Sequence, residues 1–275
     1  MKLTKLFSAA LLLMMSVSSQ AGIVVQIHGY LGTPESWENS GINQHLVNQG
    51  WLRGGVIFAS QNGIMLTKTA KQPEKNIIYA VSLPSKAPLM VQANLLHNML
   101  GDLQKRHPDE KITLLSHSAG GVVARLMLVR HGAGNIDKLI TIASPHLGTG
   151  LASYALSETS SSGPFGFVKS FFGGETYDIA KSSTGLLVDL VPQRPGTLLF
   201  WLNHQPHPPI EYVSIVRGQD VRMNGDQIIP GFSQDMNNVA ALNSLSQRYF
   251  IASGHELNQR DAGLIELLIE ADLDK

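Results

Sequence analysis

The chain has 275 residues, no cysteine, and equal numbers of basic and acidic residues, 21 of each. That length suits one large α/β domain. The missing cysteine excludes disulfides and thiolate chemistry, and the lack of any basic run argues against nucleic acid as a partner. Stability must come from a hydrophobic core, which a chain of this length can build.

The first residues have the pattern of an export signal. Lys2 and Lys5 give a positive start, Leu6 to Val17 is a short apolar core, and Ser19-Gln20-Ala21 is a small-x-small cleavage site. The alternative is an uncleaved membrane anchor, but the apolar run is short for spanning a bilayer. Cleavage after Ala21 leaves 254 residues from Gly22. Without Lys2 and Lys5, 19 basic residues stand against 21 acidic ones, a formal charge of −2. The expected location is secreted or periplasmic.

Gly22 to Ile27 is a continuous apolar run, which predicts a strand buried on both faces. Ile77 to Val81 is a second such run. Met90 to Lys105 has helical spacing and stops before His107-Pro108, as a helix does ahead of proline. Lys111 to Leu115 predicts a strand, Gly121 to His131 a helix closed by Gly132, and Leu139 to Ala143 a further strand. From Gly150 to about Pro209 the pattern changes to Ser, Gly, Pro and aromatics with no clear strand, which predicts an insertion rather than a second domain. Strands return at Ile210 to Val216 and Arg248 to Ala252, and Asp261 to Leu273 predicts a final amphipathic helix. Alternating strands and helices imply a mostly parallel sheet covered on both faces.

The chemistry concentrates at Ser116-His117-Ser118-Ala119-Gly120-Gly121, between a predicted strand and a predicted helix. It nearly fits G-x-S-x-G, with Ser116 where the first glycine belongs. A serine nucleophile needs a base, an acid to orient that base, and donors for the oxyanion. His28-Gly29-Tyr30-Leu31-Gly32 follows the first strand, and its glycines let a loop approach a substrate. The candidate oxyanion donors are the backbone amides of Tyr30 and Ala119. In proteins with the serine turn that this segment resembles, the acid and then the base follow the serine. The candidate base is His255, in Ser253-Gly254-His255-Glu256 after the last strand. His131 reads as a helix-end residue, His146 as structural, and His204 and His207 sit among prolines. The candidate acid is Asp226, in Gly225-Asp226-Gln227-Ile228-Ile229-Pro230, with Asp220 as its rival and Asp235 as a helix cap.

Together these pieces resemble the α/β-hydrolase superfamily, and within it bacterial secreted lipases and PGAP1-like esterases. Ala143-Ser144-Pro145-His146-Leu147-Gly148-Thr149 is similar to a segment that such proteins carry after the strand following the serine. The matches run in family order from residue 28 to 255. The resemblance implies the α/β-hydrolase fold with a cap or lid insertion. It implies ester hydrolysis through an acyl-enzyme, with Ser118 attacking, His255 moving the proton and Asp226 orienting His255, and it implies no cofactor. Many secreted lipases hold a structural calcium, with an aspartate two residues after the histidine. Leu257 stands there, so no metal is carried over.

Within the insertion, Phe165, Val168 and Phe172 share one helical face, with Phe171 beside them, in the glycine-bounded segment Gly163 to Gly174. This suits a mobile flap making transient contact with a lipid interface, and equally a cap helix packed on the core. Leu186 to Leu202 could line an acyl pocket or fill the cap. The expected substrate is a small-molecule or lipid ester. An acyltransferase, a thioesterase and a catalytically silent binding protein are the alternatives.

Overall fold

The computed structural model describes residues 22–67, 76–160, 178, 181–218 and 225–270. The expected export signal, the aromatic segment 163–174 and the rival acid Asp220 lie outside the described residues.

Among the described residues, eight strands form one sheet in the order β3-β2-β4-β1-β5-β6-β7-β8. They are β1 (Ile23–Ile27), β2 (Leu52–Ser60), β3 (Gly63–Leu66), β4 (Ile77–Ser82), β5 (Ile112–His117), β6 (Ile136–Ile142), β7 (Glu211–Gly218) and β8 (Ser246–Ala252). Only the β2–β3 pair is antiparallel; every other neighbouring pair is parallel. The helices are α1 (Glu35–Asn39), α2 (Ile42–Asn48), α3 (Leu89–Arg106), α4 (Ala119–His131), α5 (Gly150–Ser160), α6 (Thr184–Asp189), α7 (Leu198–Asn203), α8 (Gly231–Gln234) and α9 (Ala262–Glu270). None is long and apolar enough to cross a membrane, among the described residues.

Side chains alternate across a strand, so each apolar run feeds two cores. Ile23, Val25 and Ile27 of β1 pack with α3 and α4 on one face of the sheet. Val24 of the same strand packs on the other face with Trp37, Ile42 and Leu46 of α1 and α2 and Ile265 and Leu268 of α9. Neighbouring Leu114 and Leu115 of β5 divide in the same way. Strands that serve both cores have no solvent-facing side, which is why β1, β4, β5 and β6 appear in the sequence as mainly apolar stretches without polar alternation, although a few polar residues such as Gln26 and Lys138 are buried among them.

The chain leaves β1 toward β2, β3 and β4 on one side of the sheet. After β5 it continues toward β6, β7 and β8 on the other. The winding therefore reverses between the adjacent strands β1 and β5. In open α/β sheets a crevice opens at such a point, beyond the C-terminal strand ends. Both His28-Gly29-Tyr30-Leu31-Gly32 and Ser118 emerge there.

Close packing at this crevice depends on glycine. A Cβ on Gly120, in the first turn of α4, would stand 2.5 Å from the carbonyl oxygen of His28 and 2.8 Å from that of Ile27. Both are backbone atoms that cannot swing away, so α4 itself would have to move off β1. Gly120→Ala is expected to cost about 1–3 kcal/mol of stability and to lower any activity at Ser118 about a hundredfold, since roughly 1 Å of misplacement can do so. Chemical denaturation and ester turnover check both parts; an unchanged protein on both counts would contradict the packing argument.

The described part of the insertion is helical, comprising α5, α6 and α7. Leu186, Leu187, Leu190, Leu199 and Leu202 are all buried in the main core, and of these Leu187 and Leu190 also line the cavity described below. The segment that could have been acyl pocket or cap core thus serves as core, and through Leu187 and Leu190 as cavity wall as well. Asp189 at the end of α6 accepts the backbone N–H of Leu89 at 2.8 Å. It supplies the first turn of α3 with the acceptor that Pro88 cannot offer, where the helix dipole also favours a carboxylate.

Candidate active site

Ser118 is the single residue between β5 and α4, and its backbone has φ 52° and ψ −131°. Positive φ is costly for a residue with a Cβ, about 1–3 kcal/mol, and such strain persists only where the surroundings enforce it. Here the Ser118 N–H donates to the Ile142 carbonyl at 2.9 Å, and its own carbonyl accepts from Gly121 N–H at 3.0 Å. The side chain is thereby turned out of the strand toward the crevice. Ser116, the departure from the glycine pattern, is a buried β5 residue whose hydroxyl donates to the Ile140 carbonyl of β6 at 3.0 Å. A serine is accommodated because the neighbouring strand accepts its proton.

The structure brings Ser118, His255 and Asp226 into one hydrogen-bonded line. Asp226 Oδ2 accepts from His255 Nδ1–H at 2.9 Å, and His255 Nε2 stands 2.9 Å from Ser118 Oγ, placed to accept its proton. The side chain of Asp226 is fully enclosed. Its Oδ1 accepts the backbone N–H groups of Ile228 and Ile229, both at 2.8 Å, and its Oδ2 also accepts from Gln234 Nε2 at 3.3 Å. Gly225 makes the turn possible. It has φ 92°, and a Cβ there would stand 2.6 Å from Gly231 N and 2.7 Å from Pro230 Cα.

The loop after β1 lies against the serine. Gly29 is essential to that approach, since a Cβ on it would stand 2.7 Å from Ser118 Cβ. Residues 29–32 form a turn closed by Gly32 N–H on the Gly29 carbonyl at 3.1 Å, with Leu31 at φ 57°. His28 is locked in one tautomer. Its Nδ1–H donates to the Gly29 carbonyl at 3.0 Å, and its Nε2 accepts the Leu83 N–H at 3.2 Å. Burial holds its pKa below the ordinary histidine value. Tyr30 and Ala119, the sequence-expected oxyanion pair, both line the cavity next to Ser118.

That cavity has a volume of about 400 Å³. Leu31, Leu151, Ala152, Leu187, Leu190, Ile228, Ile229 and Leu257 give it apolar walls, while Ser36, Asn39, Ser40 and Glu256 supply polar groups. Among the described residues no group of three or more potential ligands could hold a metal ion.

The segment Ala143 to Thr149 staples the acid loop in place. Thr149 Oγ1 donates to the Ile228 carbonyl at 2.5 Å, Ser233 Oγ donates to the Gly148 carbonyl at 2.7 Å, and Leu147 N–H donates to Ser233 Oγ at 3.1 Å. Its His146 is structural, as expected. It belongs to a buried network around Arg125, which sequence reading did not single out. Arg125 of α4 reaches His146 Nδ1 at 3.1 Å, Asn203 Oδ1 at 2.6 Å and His207 Nε2 at 3.2 Å. No carboxylate is among these partners. Burial pulls the guanidinium down to about 9, which leaves it cationic at neutral pH. Both histidines must be unprotonated on the nitrogens that accept from it.

Burial, reinforced by the Arg125 charge, accordingly holds His146 well below its ordinary pKa and brings half-buried His207 down to about 4. The unfolded chain binds protons at these histidines from about pH 6.5 downward, whereas in the folded chain His207 does not until near pH 4 and His146 is held well below its ordinary value. Their contribution is therefore complete above pH 6.5 and is lost as the pH falls toward 4. About 2 kcal/mol is expected from His207, after allowing for solvent screening of a half-buried ring. Denaturant unfolding at pH 7 and pH 4.5 measures the loss, and His207→Asn should flatten it.

The remaining candidates fall elsewhere. His131 ends α4, stacks on His97 with ring centroids 4.1 Å apart, and takes no part in the site. Asp235 caps the short 3₁₀ turn Met236–Asn238 through Asn237 N–H at 2.9 Å, as its sequence context suggested. His204 bonds to its own helix at the Phe200 carbonyl, 2.7 Å away. Sequence reading also missed Gln234, which is buried and ties Asp226 to β7 by accepting the Arg217 N–H at 2.7 Å.

Comparison with known proteins gives a consistent picture. The family model described as the PGAP1-like alpha/beta domain matches residues 78–156, which include Ser118 and the Ala143–Thr149 segment but neither Asp226 nor His255. No curated protein matches the chain. Among solved structures, the lin2722 gene product of Listeria innocua is similar over 92% of this chain and 92% of its own, with a TM-score of 0.59 and 16% identity. The mature form of Bacillus licheniformis lipase BlEst2 is similar over 92% and 93%, with a TM-score of 0.57 and 14% identity. MenH from S. aureus is similar over 94% and 95%, with a TM-score of 0.53 and 15% identity. At such identities the likeness is one of architecture, and it agrees with the strand order and with a site at the reversal of winding: the chain has the α/β-hydrolase fold.

Proposed function

We propose that the protein is a serine carboxylic-ester hydrolase that works through an acyl-enzyme on esters with an apolar acyl part. The observation that carries this reading is the Ser118–His255–Asp226 line, with both links at 2.9 Å, set on a strained turn that opens into the apolar cavity. Ser118 Oγ attacks the ester carbonyl carbon while its proton passes to His255 Nε2. The amides of Tyr30 and Ala119 hold the oxyanion. Collapse of the tetrahedral intermediate breaks the bond to the alcohol oxygen, which takes the proton back from His255. Water then attacks the acyl-serine, gives a proton to His255, and releases the acid as Ser118 recovers its proton. Asp226 stabilises the imidazolium in both halves.

A fluorophosphonate probe tests this reading. The adduct is expected on the peptide containing Ser118, and p-nitrophenyl esters are expected to turn over with a preference set by acyl length. No labelling of the folded protein, or labelling elsewhere, would refute it. Turnover that rises when an alcohol acceptor replaces water would move the reading to an acyltransferase. The same proposal assigns residues 1–21 as a cleaved export signal. Terminal sequencing of exported protein should then begin at Gly22.

A further inference from the structure

We propose that Arg217 and His117 are positioning residues, which fix the main chain of His255 and thereby hold its imidazole against Ser118. This rests on the hydrolase reading above. His255 lies on an irregular loop between β8 and the 3₁₀ turn Gln259–Asp261. Such a loop has conformational freedom of its own, whereas proton transfer requires the ring to stay within hydrogen-bond reach of the serine.

Three successive carbonyls of this loop converge on one guanidinium nitrogen. Arg217 Nη1 lies within hydrogen-bond distance of Gly254 O and His255 O, both at 2.9 Å, and of Glu256 O, so that its two N–H groups are shared among the three carbonyls. Its Nη2 pairs with Asp261, and both side chains are fully buried. Asp261 also accepts the Asn258 N–H at 2.9 Å, in a capping box that closes the far end of the loop. One ion pair therefore grips the loop on both sides of the histidine. A hydrophobic pair could fill this volume, but it could not direct three carbonyls to one point.

His117 supplies a second hold on the same carbonyl. Its Nε2–H donates to His255 O at 2.9 Å, and the two rings lie 5.0 Å apart. Burial first, and then the nearby His255 and Arg217, keep His117 well below the ordinary histidine pKa, so the neutral ring can act as a fixed donor. Because His117 immediately precedes Ser118, its ring ties the nucleophile's own backbone to the main chain of His255. The acid loop joins the same framework, since Gln234 binds both Arg217 N–H and Asp226.

His117→Ala, His117→Gln and Arg217→Lys test the proposal. Gln retains an N–H donor, and Lys retains the charge opposite Asp261 but cannot reach every carbonyl. Alanine at 117 and lysine at 217 are expected to lower kcat about tenfold to a hundredfold, as misplacement of a reacting group does, with KM within about threefold. His117→Gln should recover part of the loss. The low-field proton resonance of His255 Nδ1–H, bonded to Asp226, should weaken or shift in the same two variants. Unchanged kcat in folded variants, or a lower melting temperature with kcat intact, would overturn the proposal and leave a purely structural role. If the wild type neither labels nor hydrolyses esters, the hydrolase reading fails by itself. The resonance then decides the positioning claim, which falls if both variants leave the signal unaltered.

Discussion

Ser118→Ala is expected to lower kcat on a p-nitrophenyl ester by about a millionfold and to abolish fluorophosphonate labelling. Removing the nucleophile costs this much in related chemistry, because the base and acid have nothing left to act on. The residual rate, about a thousandfold to ten-thousandfold over water, would come from the oxyanion donors and from binding. The fold should tolerate the change. Alanine must still adopt φ 52°, so the strain persists, but no buried partner other than His255 Nε2 is lost. A variant that labels as well as the wild type would show that the reactive serine is elsewhere.

Asp226→Asn is expected to cost about ten-thousandfold in kcat with little loss of stability. The cause is a tautomer. Oδ1 faces two backbone donors, Ile228 N–H and Ile229 N–H, so an asparagine keeps its carbonyl there and turns its amide toward His255. Nδ1 must then accept and Nε2 must carry the proton, which leaves it unable to take one from Ser118. Asp220→Asn should leave activity intact. The opposite outcome, with Asp226→Asn active and Asp220→Asn dead, would transfer the acid role to the rival.

Six of the eight strands were legible in the sequence, and the two that were not explain the limit. Pattern reading recognises β1, β4, β5 and β6 because both faces of each are buried. The edge pair β2–β3 is half exposed, contains Gly54, Gly55 and Gly63, and has a register shift between Arg53 and Gly55. It offers neither a continuous run nor clean alternation. The helices α1 and α2 are too short to establish a period. For the site, the turn pattern around Ser118 picked out the serine, and chain order after it picked out His255 and, against its rival Asp220, Asp226, since each follows the end of a strand. Arg217, Gln234 and Arg125 gave no such signal. They are polar residues within apolar stretches or beside loops, and their significance lies in partners 38, 8 and 78 positions away. Ser116 counted against the site because it stands where the pattern has glycine, and the acceptor that accommodates it, the Ile140 carbonyl, lies on another strand out of view of the sequence.

The Arg125 network also sets where this protein can be recombined. The insertion begins immediately after Thr149, whose hydroxyl is bonded to the acid loop, so that end forms a natural seam. The other end does not, because Asn203 and His207 belong to the insertion by sequence but to α4 by hydrogen bonding. A chimaera that imports a foreign cap up to residue 209 would strip a buried cation of two of its acceptors. One that crosses over before Asn203 would keep them, and could exchange Leu151, Leu187 and Leu190 of the cavity wall while the original framework remains beneath it.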